Sequence, residues 1–182
     1  MKLSDLQTLQ DELWQTHCEK GFDKIEQSFN RFMNLVKTEI AEAYEEVRKC
    51  KSELYFNTIK GARIFSPNDD YADCYSLIAY GCKPEGEYIE LADALIKILN
   101  YWKLEKVKLS DDLFCQTVSN NILSKIDIFY YSLFNSKFSF DIFGSIVSYL
   151  EFHNQNWQEL IKIKNAYNKT REFMYAKNFK EK

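Results

Sequence analysis

Apolar residues recur along most of this chain at steps of three and four, the period of an amphipathic helix. Ser4 followed by Gln7 has the form of a capping box and predicts a first helix to about Glu19, ended by Gly21. Phe22, Ile25, Phe29, Phe32, Met33, Val36, Ile40, Ala43, Tyr44 and Val47 keep the helical step, which predicts one long second helix. The pattern weakens from about Cys50 to Glu87, where Gly61, the run from Ser66 to Asp70, Gly81, Pro84 and Gly86 fall. That stretch reads as a long connection with one short helix near 71–80. Connections of this length are often functional, and Lys51, Lys60 and Arg63 would suit closure over a ligand.

The periodicity returns in a strong third helix over 87–104. Ser110 with Asp111 and Asp112 predicts a fourth helix running to about Phe134. Ser139 or Asp141 starts a fifth to about Phe152, and Asn154 or Asn156 the last, to about Tyr175. The charged ending KNFKEK reads as frayed. The expectation is an all-α chain, folded as a single domain over residues 1–182.

Composition narrows the function classes. Lys and Arg number 24 against 27 Asp and Glu, a net charge of −3, which lacks the basic excess of a nucleic-acid binder. The five cysteines are odd in number and show no CxxC spacing, so they read as free thiols of a reducing, cytoplasmic setting. The polar N-terminus argues against a signal peptide, and no apolar run is long enough to span a membrane. The histidines His17 and His153 and the tryptophans Trp14, Trp102 and Trp157 read as structural residues.

The candidate chemistry lies on acidic helix faces. On the second helix, Glu39, Glu42 and Glu46 stack along one flank of the apolar stripe, while Glu45 points to solvent. On the third helix, every residue between Tyr88 and Trp102 is apolar or aromatic except Glu90, Asp93, Lys97 and Asn100, which share one narrow face. A helix apolar around most of its girth is central, and carboxylates buried with it need a partner. Lys97, one turn from Asp93, is one such partner. The other is a divalent ion: carboxylate oxygens suit Mg²⁺ or Mn²⁺, and neither face carries the sulfur or imidazole that zinc prefers. The last helix carries Lys164, Asn168 and Arg171 in one sector, a cationic set that fits phosphate oxygens.

The strings TEIAEAYEEVR (38–48), KPEGEYIELADALIKILN (83–100) and IKIKNAYNKTR (161–171) resemble the MazG-like, all-α nucleoside triphosphate pyrophosphohydrolases. Those proteins carry an E-x-x-E helix, an E-x-x-D helix and a late K-x-x-x-N-x-x-R helix. The corresponding residues here are Glu39 and Glu42, then Glu90 and Asp93, then Lys164, Asn168 and Arg171. HCEKGF (17–22) resembles the end of the family's first helix, and Asn100 matches a polar position of MazG. Thr38 stands where the family often has a glutamate, and segments at about 50–84 and 105–155 look inserted.

The resemblance implies a MazG-like helical bundle that uses Mg²⁺, or Mn²⁺, to cleave a nucleoside triphosphate to the monophosphate and pyrophosphate. It implies metal ligation by Glu39, Glu42, Glu90 and Asp93, with Glu39 or Glu42 taking the water's proton. Lys97, Asn100, Lys164, Asn168 and Arg171 would bind substrate. The expected assembly is a homodimer or a higher even homo-oligomer, with no nucleic-acid or membrane partner. A dUTPase-like or phosphoribosyl-ATP pyrophosphohydrolase of the same superfamily, or an inactive helical binding protein, are the alternatives.

Overall fold

A computed structural model of the chain describes residues 3–24, 28–49, 54–58, 60–61, 63–65, 71–109 and 119–171. Its helices are α1 (Leu3–Glu19), α2 (Phe29–Arg48), α3 (Ala72–Ala79), α4 (Glu87–Leu104), α5 (Asn120–Leu123), α6 (Ile126–Asn135), α7 (Ser139–Phe152) and α8 (Trp157–Thr170). Three short strands, β1 (Tyr55–Asn57), β2 (Arg63–Phe65) and β3 (Lys83–Glu85), and a 3-10 turn (Phe22–Lys24) complete the described elements. The fold is mostly helical, as the periodicity leads one to expect. No helix among the described residues is long and apolar enough to cross a membrane.

Helix α4 is the axis of the molecule. It packs against α1, α2, α7 and α8, and Ile89, Leu91, Leu95, Ile98 and Leu99 are fully buried. Each such side chain contributes about 1.5–3 kcal/mol through removal from water. Polar bonds then fix the neighbours: Trp102 Nε1 donates to Ser139 Oγ on α7 at 3.0 Å, and Gln10 Nε2 on α1 donates to the Leu99 carbonyl at 2.9 Å. The expectation that Trp102 and Trp157 are core residues holds, since both are buried.

Several boundaries differ from the sequence reading. Ser4 lies inside α1, with its hydroxyl on Asp5, and does not cap it. The long second helix begins at Phe29, not Phe22. Ser28 takes an extended backbone and its hydroxyl accepts the Arg31 N–H at 3.3 Å, a helix cap; Phe22–Lys24 is a separate 3-10 turn. The proposed start of the fourth helix at Ser110 lies outside the described residues. The remainder is two helices, because Lys125 takes an extended conformation between α5 and α6. The last helix stops at Thr170, since Arg171 is extended (φ −70°, ψ 139°); residues 172–182 lie outside the described set.

The long connection also holds more than a short helix. Helix α3 forms close to its expected place, but β1, β2 and β3 make an antiparallel sheet in the order β2-β1-β3. Tyr55 pairs with Phe65 and with Glu85, and Asn57 pairs with Arg63 and with Lys83. Pro84 is tolerated because β3 is an edge strand of this sheet. Gly86, at φ 110°, turns the chain from β3 directly into α4, a backbone that a side chain would strain.

Candidate functional site

Helices α2 and α4 pack along each other and bring the two acid pairs together. Glu39, Glu42 and Glu90 each offer a carboxylate oxygen within 4.8 Å of the others. Three carboxylate oxygens at that spacing are close enough together to hold one metal ion. Asp93 is not one of the three. Its carboxylate lies 3.2 Å from Lys164 Nζ and 4.0 Å from Lys97 Nζ. Lys164 also holds Glu90 at 3.2 Å. Lys97 sits nearer Glu39, at 3.1 Å, than Asp93. The sequence spacing suggests a pair within one helix; the shorter contact instead crosses from α4 to α2.

The electrostatics follow from burial and these ammonium groups. Burial, and then the neighbouring Asp93 charge, push the Glu39 carboxyl up to about 7, with Lys97 opposing. Burial also raises Glu90, against the pull of Lys164. For Asp93 burial acts upward too, but Lys97 and then Lys164 outweigh it and hold the carboxyl below its ordinary value. The two lysines are raised in turn: burial opposes their charge, and the acids around them overcome it.

A cavity of about 240 Å³ opens beside this wedge, reached by Asp93 and Lys97. Its lining includes the polar residues Lys20, Arg31, Asn168 and Arg171 and the apolar or aromatic residues Phe22, Phe32, Leu35, Ile96 and Tyr101. The Phe32 and Tyr101 rings stack at 3.9 Å, nearly parallel. His17 lies between Trp14 and Phe22, and burial lowers its pKa to about 4, so it is a neutral ring at pH 7. Lys20 Nζ donates to the carbonyls of Lys169 and Arg171, tying the end of α8 to the cavity rim. Asn100 also lines this cavity. It is only 7% exposed, and its Oδ1 is a buried oxygen with no hydrogen-bond partner among the described residues. Buried amides are ordinarily satisfied, so this one is poised for a ligand N–H.

A second cleft, of about 320 Å³, is lined by two of the three converging acids, Glu42 and Glu90, with Glu46, Glu85, Lys49 and Lys83. Tyr55 Oη bridges Glu46 at 2.7 Å and Glu85 at 3.2 Å, so the sheet is fastened to the flank of α2.

The residues expected from the sequence therefore fall in two groups. Glu39, Glu42, Glu90, Asp93, Lys97 and Lys164 form the charged wedge. Asn100, Asn168 and Arg171 face the cavity, which Lys97 also reaches. Lys164 stands with the acids and is 4% exposed. His17, Lys20, Arg31 and Asn165 also line the cavity and were not expected at the site, although His17 and Lys20 fall in the string 17–22 that resembles the family's first helix end. Lys20 and Arg31 are single basic residues in helix-end surroundings, and His17 has no candidate partner within its own helix. Set against protein-family models, curated proteins and solved structures, the chain matches none of them.

Proposed function

We propose that this chain is an Mg²⁺-dependent nucleoside triphosphate pyrophosphohydrolase of MazG-like type, with Mn²⁺ as a substitute ion. The observation that carries the reading is the carboxylate trio Glu39, Glu42 and Glu90 near a cavity lined by both cationic and aromatic side chains. A lining of both kinds suits a ligand with a polyanionic part and a flat apolar part. The nucleoside would lie against Phe32 and Tyr101, with a base N–H donated to the Asn100 oxygen. Arg171 and Asn168 would take phosphate oxygens, and Arg171 would stabilise charge that develops as the bond breaks.

Glu39, Glu42 and Glu90 would hold the ion, with Asp93 completing the charge around it. A divalent ion there supplies phosphate neutralisation and an acidified water. Glu42, the exposed member of the trio, or Glu39 would accept the proton of the attacking water. Attack at the α-phosphorus would expel pyrophosphate. Cys18 and Cys82, in no disulfide among the described residues, fit a reducing cytoplasm. A homodimer or a higher even homo-oligomer is part of the same reading.

The test is pyrophosphate release across a panel of ribo- and deoxynucleoside triphosphates with Mg²⁺. Activity on at least one nucleotide, lost in Glu42→Gln with the helical content unchanged, is the expected result. Orthophosphate release would overturn α–β cleavage, and full activity of Glu42→Gln would overturn the site. A second reading, an inactive nucleotide-binding protein, draws on Lys97 and Lys164 already neutralising the acids. It calls for nucleotide binding without turnover on any member of the panel.

A further inference from the structure

The three most buried acids of the wedge each hold an ammonium group, but the two lysines involved are not alike. Lys164 has a side chain only 5% exposed and is fixed by two contacts of 3.2 Å, to Glu90 and Asp93. Lys97 is 28% exposed, makes one close contact, with Glu39 at 3.1 Å, and lines the cavity. Glu39 is also one of the three acids whose oxygens converge. A doubly charged ion among those oxygens would stand close to the Lys97 ammonium, and like charges at such range in a partly buried site repel by several kcal/mol (about 332/εr for each unit charge). Lys97 therefore has to leave Glu39 before the trio can close on an ion.

Its alternative seat is the neighbouring cavity. Lysine is a compact charge on a flexible stem, and Lys97 already lines that cavity together with Arg171 and Asn168. With that cavity empty, the swing would take the ammonium away from its carboxylates and return little. With phosphate oxygens in the cavity, the swing exchanges one anion for another. Lys164, enclosed by Glu90 and Asp93 and absent from the cavity wall, has no such exchange to make.

We propose that Lys97 is a displaceable internal counter-ion: it occupies the Glu39 side of the metal site in the free protein and moves to the triphosphate in the complex, so that divalent ion and nucleotide bind cooperatively. The proposal rests on the metal-site reading above. By linkage, whatever factor the nucleotide adds to the ion's affinity the ion adds to the nucleotide's. Removing the ammonium should remove most of that factor, because Glu39 is then open to the ion from the start.

Calorimetric titration tests this with Mg²⁺ alone and with the α,β-imido analogues of the deoxynucleoside triphosphates, on wild type, Lys97→Met and Lys97→Arg. The analogue binds Mg²⁺ by itself, so the deciding quantity is the difference between proteins. Mg²⁺ alone is expected to bind Lys97→Met at least tenfold more tightly than wild type, with a correspondingly smaller gain from the analogue. Lys97→Arg, which keeps the charge, should stay close to wild type. Lys97→Gln replaces the methionine variant if the latter does not fold. Equal Mg²⁺ affinity in wild type and the neutral variants, with analogue binding intact, would overturn the coupling and leave the metal site standing. Absence of Mg²⁺ binding in every protein, with and without analogue, would overturn the metal site itself.

Discussion

Helix α4 buries carboxylates in two ways within its first two turns. Glu87, 1% exposed, has no cation beside it among the described residues. Its Oε1 accepts one hydrogen bond from Tyr130 of α6 and one from Tyr149 of α7, both at 2.8 Å. Burial raises its pKa, while the two hydroxyls pull the other way. Three residues later, Glu90 is equally enclosed but is held by the ammonium of Lys164. The tyrosines are rigid, well packed and neutral: Tyr149 stacks on Phe129 at 4.0 Å, and Tyr130 lies edge-on to the same ring. The first arrangement locks the start of α4 to its neighbours. The second leaves a net negative charge that an added cation can neutralise. An acid satisfied by packed neutral hydroxyls is indifferent to added cations, whereas an acid held by a lysine within an acidic cluster is sensitive to them.

The largest effect should come from breaking the second arrangement. Lys164→Met leaves Glu90 and Asp93 buried together without their shared cation, and a loss of about 3–5 kcal/mol is expected in urea unfolding. Added Mg²⁺ should restore part of it, because the ion neutralises the same acids. Tyr130→Phe or Tyr149→Phe should cost about 1–3 kcal/mol each, by stripping a donor from a buried carboxylate. Mg²⁺ should restore none of that loss. The double variant should depart from additivity, since both hydroxyls serve one oxygen. Recovery of the tyrosine variants by Mg²⁺, or its absence in Lys164→Met, would erase the distinction between the two arrangements.

A smaller, pH-dependent effect belongs to His17, a buried base kept neutral. Its folded-state pKa of about 4 lies below the ordinary 6.5, so between those values the unfolded chain binds the extra proton. Its contribution is complete above pH 6.5 and falls away as the pH drops toward 4, by about 1.4 kcal/mol per pH unit at the steepest. Glu39 titrates with the opposite sign near pH 4.5 to 7, since its raised carboxyl binds the extra proton in the folded state. The measurement is therefore the difference in stability between wild type and His17→Phe across that range. A pH-independent difference would show that His17 is not held neutral.

The acid wedge was legible because a polar residue on an otherwise apolar helix announces itself: Glu90, Asp93, Lys97 and Asn100 stand out on α4 by spacing alone. Their partners across helices were not. Spacing assigned Lys97 to Asp93, while its closest contact, Glu39, depends on how α2 lies against α4. Glu87 escaped notice because its partners are tyrosines that read as core filling. The sheet was invisible for a different reason. Strands of three residues are too short to express an alternating pattern, and the surrounding Gly and Pro look like loop. The gap between the 3-10 turn and α2 was hidden by Phe22, whose place in the helical period is coincidental; its ring faces the cavity and His17.

The register of the sheet has a consequence for how freely this chain can change in length. Asn57 and Lys83 are direct partners across β1 and β3, and β3 passes through Gly86 straight into α4. Tyr55 clips the same junction to Glu46 at the far end of α2. The chain that departs after Asn57 does not stay outside the fold, since α3 packs on α8 and buries Cys74 and Ile78. Gly61, between β1 and β2, is instead exposed, with nothing within 4 Å of where its side chain would stand. Residues added there would lengthen the hairpin tip while its base stays pinned, which makes that turn a natural port for grafting.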